Sequence, residues 1–268
     1  MKTLKNLSDM SDRRALITGG AGHLGQLMAD TLAELGADII LLDLPGSNFS
    51  EIQDRLIKKW NTDPQIIACD LELEEDRMSV IDKIKSDGKG LSCLINNAAL
   101  GGTAKLDGWI SDFEDQSLET WNRALEVNLT APFHLSQAFS PELRYAKGGN
   151  IINITSIYGQ LGPDWRLYEG VNMGNPAAYG ASKGGLSQMT RWLATTLAPE
   201  IRVNAISPGG IFRNQPQKFV ERYIKKTPLK RMASEDDFRG AVAYLASDLS
   251  AYMTGQIIGI DGGLSSLC

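Results

Sequence analysis

At 268 residues and 29.2 kDa, the chain has room for about two ordinary domains or one large α/β unit. A charged fraction of 22%, a hydrophobic fraction of 43% and a mean hydropathy of −0.17 exclude a disordered or fibrous polymer. The net charge of −5 and pI near 5.2 exclude the whole-chain basic surplus of a nucleic-acid-binding protein. Cys69, Cys93 and Cys268 are odd in number and form no C-x-x-C pair, so neither a disulfide framework nor a cysteine zinc site is expected. The first dozen residues carry no apolar signal-peptide core, and no run approaches a membrane span. The expectation is a cytoplasmic protein with no membrane and no nucleic-acid partner.

In chain order, short apolar runs alternate with amphipathic stretches. RRALIT (13–18), DIILLD (38–43), QIIACD (65–70), LSCLIN (91–96), NIINIT (150–155), IRVNAIS (201–207) and GQIIGID (255–261) read as seven strands. Helical patterns fall at Leu24–Leu35, Glu74–Ser86, Leu118–Ala138, Tyr179–Ala198 and Ser234–Ser247. The strands are near-continuous Ile, Leu and Val instead of period-two alternations, the signature of strands covered on both faces. No linker or internal repeat divides the pattern. The fold predicted is α/β, a doubly wound Rossmann-type parallel seven-stranded sheet flanked by helices on both faces, with residues 1–268 as one dinucleotide-binding domain.

Glycine is in excess, 27 residues or about 10% against a usual level of about 7%. Part of the excess lies in TGGAGHLG (Thr18–Gly25), between the first strand and the helix that starts near Leu24. A glycine-rich strand-to-helix turn admits a pyrophosphate close to backbone, where the helix N-terminus offers free N–H groups and a positive dipole end. The same triplet, Gly19, Gly22 and Gly25, also serves as a plain tight turn. Asp43 ends the second strand about 20 residues on, where a carboxylate accepts hydrogen bonds from the adenosine ribose. It would repel a 2′-phosphate, and neither the turn nor LDLPG carries Arg or Lys, so the cofactor predicted is NAD.

Further along lie NNAA (Asn96–Ala99), VNL around Asn128, NITS ending at Ser156, YGASK (Tyr179–Lys183), RVNAISPGG (Arg202–Gly210) and DGG (Asp261–Gly263). Tyr179 and Lys183 are four apart and share one helix face, which sets an ammonium beside a phenol. Lowering a phenol from about 10 to about 7 takes on the order of 4 kcal/mol of preferential phenolate stabilisation. A nearby cation is one source of it. Taken together and in this order, the motifs resemble those of the short-chain dehydrogenase/reductase family from Arg13 to Gly263.

The resemblance implies that Tyr179 is the acid/base, that Lys183 also holds the nicotinamide ribose, that Ser156 hydrogen-bonds the reacting oxygen and that Asn128 positions a water relay. It also implies dinucleotide contacts from Gly19, Gly22, His23, Leu24, Gly25, Asp43, Asp70, Leu71, Asn97, Ala98, Ala99, Pro208, Gly209 and Ile211. Family members pair through helices, so a homodimer or homotetramer is expected. His23 departs from the usual shorter-chain pattern, and the glycine spacing is similar to that of relatives acting on nucleotide sugars. His134 reads as a helix residue with a satisfied ring, and no metal site is expected.

Substrate loops are expected at 100–118, 157–178 and 211–232. Ser156 and Tyr179 are 23 positions apart, roughly ten more than the family usually allows. The extra segment holds Asp164, Trp165, Arg166, Glu169 and Asn172, which suit a ring and its hydroxyls or, equally, an outward-packed contact loop. Between Arg213 and Arg231, seven basic residues face one acid, a net +6 that leaves −11 elsewhere. Such a run is either a solvated helix face or a basic lid over an anionic, sugar-like small-molecule substrate. The function predicted is an NAD-dependent oxidoreductase interconverting a secondary hydroxyl and a ketone. A nucleotide-sugar epimerase or dehydratase, and a non-catalytic dinucleotide-binding regulator, are the alternatives. Five residues follow DGG, which opposes the first of these, since such relatives carry an added C-terminal substrate domain.

Overall fold

A computed structural model describes residues 1–101 and 106–267. Part of the expected 100–118 loop (102–105) and Cys268 lie outside the described residues. After a short helix α1 (Leu4–Ser8), seven strands follow in sequence: β1 (Arg14–Thr18), β2 (Asp38–Asp43), β3 (Gln65–Ala68), β4 (Cys93–Asn96), β5 (Asn150–Ile154), β6 (Arg202–Pro208) and β7 (Ile257–Ile260). They form one sheet in the order β3-β2-β1-β4-β5-β6-β7, every pair parallel. Strand order therefore reverses between β1 and β4, and the crevice beyond their carboxyl ends is where such sheets bind ligands.

The apolar runs make sense in this setting. Along β1 and β2, Ala15, Ile17, Ile39 and Leu41 face one helical layer and Leu16, Ile40 and Leu42 the other, all of them buried. The first layer holds α2 (His23–Glu34), α3 (Ser50–Trp60) and α9 (Arg239–Ala246), which bring Leu32, Ile52 and Leu245 to the sheet. The second holds α4 (Glu74–Ser86), α6 (Ala131–Tyr145) and α7 (Ala177–Leu197), with Ile81, Phe139 and Leu193. With both faces covered, a polar strand position must find its partner inside, as Asn96 does on Asn153 and Asn153 on Thr190.

Three elements differ from the sequence expectation. Helix α3 was not singled out by periodicity, because only Ile52 and Leu56 of its 11 residues are buried. The long helix expected over Leu118–Ala138 is α5 (Leu118–Leu125), a π-helical turn at Glu126–Thr130, and α6, which runs on to Tyr145. Buried Arg77 of α4 ties this junction to its surroundings, pairing with Glu126 at 2.7 Å and donating from Nε to His134 Nδ1 at 3.2 Å. His134 is thus satisfied by a buried arginine. Finally, α8 (Gln217–Lys226) lies within the basic stretch and buries Phe219 and Tyr223.

Candidate active site

A cavity of about 990 Å³ opens at the carboxyl edge of the sheet. Its floor is the turn after β1. Gly19 adopts φ +66°, and a Cβ there would lie 2.9 Å from Ala98 Cα. The two segments are locked together by Thr18, whose Oγ1 accepts from the backbone N–H of Asn97 and of Ala98, each at 3.0 Å. Asn97 returns the contact, donating from Nδ2 to the Thr18 carbonyl at 2.9 Å. At Gly25 a Cβ would sit 2.0 Å from the Gly19 carbonyl oxygen, whereas at Gly22 it would meet that oxygen at 3.2 Å and otherwise face open space. Gly19 and Gly25 are thus required by the protein's own packing, and Gly22 leaves room for a close approach from outside. Gly22 caps α2 without any side-chain hydrogen bond, so the first-turn N–H groups are free for an anion. The floor fits a dinucleotide pyrophosphate.

Asp43, at the end of β2, accepts from Ala21 N at 2.9 Å and from Leu44 N at 2.8 Å. Its carboxylate shapes the turn while lining the cavity. Asp70 and Leu71 line the same end, as does Arg123, which forks onto Glu72 at 2.7 and 3.1 Å. Leu24, His23, Asn97, Ala98 and Ala99 complete this half.

At the other end, Ser156 lies two residues past β5, capping a short 3-10 turn (Ile157–Gly159), and Tyr179 and Lys183 lie in the first turns of α7, which starts directly after Pro176. Lys183 is 2% exposed. Its Nζ donates to the Ile154 carbonyl at 2.7 Å and lies 6.0 Å from the Tyr179 ring centre. Burial pulls the ammonium down to about 8. Burial pushes the Tyr179 phenol up, while the Ser156 hydroxyl and the Arg213 charge pull it back. The sequence expectation placed the ammonium against the phenol. In the structure the ammonium is held by a strand-end carbonyl, and the group that most eases phenol ionisation is the Ser156 hydroxyl.

Asn128 lies in the π-helical turn and is fully buried. Its Oδ1 accepts from Leu100 N at 2.8 Å, and its Nδ2 donates to the Leu100 carbonyl at 3.1 Å and to Ser182 Oγ at 3.0 Å. It braces the strand exit against α7 from behind the cavity wall. Of the expected residues, Asn128 and Gly25 do not line the cavity; Pro208, Gly209 and Ile211 do, beside Ser156, Tyr179 and Lys183.

The remaining wall comes from the 157–178 segment and α8. Leu167, Phe219, Tyr223 and Met232 form a small apolar cluster, and the Tyr223 hydroxyl accepts from Gly210 N at 2.5 Å. Tyr158, Tyr168 and Asn175 line the cavity and were not picked out from sequence, because nothing in an irregular segment says which side chains turn inward. Trp165, which suits a ring or an outward-packed loop equally, does not line this cavity. It is 57% exposed and packs on Tyr168 with centroids 5.8 Å apart.

The basic run is also resolved into partners. Lys226 pairs with Asp164, Arg231 with Asp237 at 2.6 Å and Arg213 with Glu235 at 3.1 Å. Arg222 donates to the Glu169 carbonyl at 2.5 Å. Among the described residues, only Arg213 of the seven lines the cavity. Lys226 and Arg222 tie α8 to the 157–178 segment, and Arg213 and Arg231 tie the stretches flanking α8 to Glu235 and Asp237.

Among the described residues, no helix is long and apolar enough to cross a membrane, and no cluster of three or more His, Cys, Asp or Glu side chains is placed to hold a metal.

A family model described as enoyl-(acyl carrier protein) reductase matches residues 20–265. A probable galactose dehydrogenase of Rhizobium meliloti is 32% identical over 263 residues, 96% of each chain. A short-chain dehydrogenase of Leptospira borgpetersenii, solved with bound NAD+, is 34% identical with a TM-score of 0.84, covering 99% of this chain and 98% of its own. The NADPH-dependent 3-quinuclidinone reductase of Rhodotorula rubra is 28% identical with a TM-score of 0.85, covering 98% and 95%. Sheet order, glycine turn and matches across nearly the whole chain agree, and the chain belongs to the short-chain dehydrogenase/reductase family of oxidoreductases.

Proposed function

We propose that this protein is an NAD-dependent dehydrogenase/reductase that interconverts a secondary hydroxyl and a ketone on a polar, sugar-like small molecule. The observation that carries this is the arrangement of a single cavity, with the glycine turn and Asp43 at one end and Ser156, Tyr179 and Lys183 at the other. Asp43 supports NAD, because a carboxylate at the second strand's end disfavours a 2′-phosphate. The substrate class is supported by the galactose dehydrogenase relative and by the polar wall formed by Tyr158, Tyr168, Asn175 and Arg213.

A bound nicotinamide supplies or takes up the hydride. The chain's own residues handle the oxygen and its proton. Ser156 donates a hydrogen bond to the reacting oxygen, and Tyr179 gives or removes the proton there. Because burial raises Tyr179, its protonated form dominates at neutral pH, which favours proton donation to a ketone, and oxidation gains as pH rises. Lys183, anchored on Ile154, holds the nicotinamide ribose, and Asn128 keeps the floor of this end rigid. Gly19, Gly22, His23, Leu24 and Gly25 carry the pyrophosphate, with Asp70, Leu71 and Asn97–Ala99 around the adenosine and Pro208, Gly209 and Ile211 at the nicotinamide. The loops 100–118, 157–178 and 211–232 form the substrate side of one domain. A cytoplasmic homo-oligomer accords with this reading.

The test is NADH formation from a panel of aldoses, polyols and sugar acids, with NAD and NADP compared. Net NADH from at least one member, with NAD preferred, is expected. Turnover of aliphatic alcohols alone, or a preference for NADP, overturns the corresponding half of the reading.

A further inference from the structure

Beside the reacting end of the cavity lies a polar cluster contributed wholly by the segment between Ser156 and Tyr179. The Tyr158 and Tyr168 hydroxyls are 2.7 Å apart and share one hydrogen bond. Asn175 is 8% exposed and its amide stands beside both phenols. Three buried side-chain polar atoms among the described residues lack a well-formed hydrogen bond: Asn96 Oδ1, Glu142 Oε2 and Asn175 Nδ2. Of these three residues, Asn175 is the one that lines the cavity. The Asn175 amide nitrogen therefore faces the phenols without a well-formed bond to either, an under-satisfied buried donor that a ligand atom can complete.

The cluster has a sign. Two phenols bring two O–H groups and spend one on each other, and the Asn175 amide stands against their oxygens as a donor, so one O–H and the incompletely bonded Asn175 N–H remain. Burial pushes both phenols up, so they stay protonated. What is left over is donors, and donors recognise a lone pair. The cluster is tied to the reacting end, since Tyr158 follows Ser156 by two residues, its backbone N–H donates to Ser156 Oγ at 3.2 Å, and both line the same cavity. Tyr168 is close enough to Tyr179 for a charge on one to be felt at the other.

We propose that Tyr158, Tyr168 and Asn175 are specificity-determining residues that bind an acceptor oxygen on the carbon next to the reacting one, so that the preferred substrates are vicinal diols and α-hydroxy ketones. The inference rests on reading the cavity as a hydroxyl/ketone oxidoreductase site. A site built to hydrogen-bond one substrate oxygen rejects the analogue lacking it far more strongly than an apolar pocket rejects an added one.

The experiment compares probes that differ by that oxygen: cyclohexane-1,2-diol with cyclohexanol, D-galactose with 2-deoxy-D-galactose, and acetoin with 2-butanone. Steady-state kcat/KM is measured for wild type, Asn175→Asp and Tyr168→Phe, and NADH binding to each is followed by fluorescence. Wild type is expected to favour the vicinal-oxygen member of at least one pair by about 10²-fold. Asn175→Asp, which puts an acceptor where a donor stood, is expected to shrink that ratio at least about tenfold, and Tyr168→Phe to shrink it in the same direction, with the deoxy member changing by less than about threefold. A variant that loses activity on both members equally has lost only structure, and that result in both variants overturns the proposal. A wild type that binds NADH yet treats every pair alike, by turning over both members or neither, also overturns it while leaving the dinucleotide site standing. Failure to bind either dinucleotide overturns both readings.

Discussion

The floor of the cavity and its outer wall are built from different materials. The floor, from Thr18 to Gly25 with Asn97 and Ala98, is backbone packed on backbone and pinned by the Thr18 and Asn97 side chains, with a Cβ at Gly25 meeting the Gly19 carbonyl oxygen at 2.0 Å. The wall, from Tyr158 to Asn175 with α8, is aromatic rings stacked 5.4 to 5.9 Å apart and closed by exposed ion pairs. A floor of amides suits a ligand part common to many reactions. A wall of side chains leaves the substrate free to differ without disturbing the floor.

The comparison gives five expected outcomes, in falling order of size. Tyr179→Phe lowers kcat about 10³-fold while NADH binding, followed by fluorescence, stays close to wild type; retained turnover would break the assignment of the proton to the phenol. The second concerns Lys183, whose folded-state value near 8 lies below the ordinary 10.5. Between these values the unfolded chain binds the extra proton, so wild-type stability relative to Lys183→Met rises as pH goes up from about 8. The full difference is roughly 3 kcal/mol, and urea melts between pH 8 and 10 measure its lower part.

Gly25→Ala forces the floor apart and costs about 2–3 kcal/mol of stability in the same melts. Asp43→Ala shifts the NAD to NADP ratio of kcat/KM toward NADP by about 10- to 30-fold, about 2 kcal/mol of relieved charge repulsion; an unchanged ratio would remove Asp43 from cofactor choice. Asp164→Asn, which breaks the Lys226 pair on the wall, costs less than about 1 kcal/mol of stability and shows itself as a modest rise in substrate KM. A cost at Asp164 as large as that at Gly25 would erase the distinction between floor and wall.

The same distinction explains how far the sequence could be read. Strand positions are legible to within a few residues because double-sided burial demands runs rich in Ile, Leu and Val, and the turn is legible because Gly19 and Gly25 have no substitute. Thr18 was passed over, although it locks the floor, since a threonine ending a strand looks the same whether or not it receives two N–H groups. In the wall, composition leaves two readings open for both Trp165 and the basic run, substrate contact or outward-facing surface. Packing turns Tyr158, Tyr168 and Asn175 into the cavity beside Asn172, and spends most of the positive charge on Asp164, Glu235, Asp237 and the Glu169 carbonyl. Which way a side chain turns in a segment without periodicity is decided by the helix that later covers it.

The aromatic chain also gives the molecule an optical consequence. Trp165 rests on Tyr168, Tyr168 on Phe219, and Phe219 on Tyr223, whose hydroxyl holds Gly210 at the cavity edge. A displacement of α8 alters the surroundings of a half-exposed indole. The emission of Trp165, isolated as the difference between wild type and Trp165→Phe, is therefore a label-free signal of wall movement.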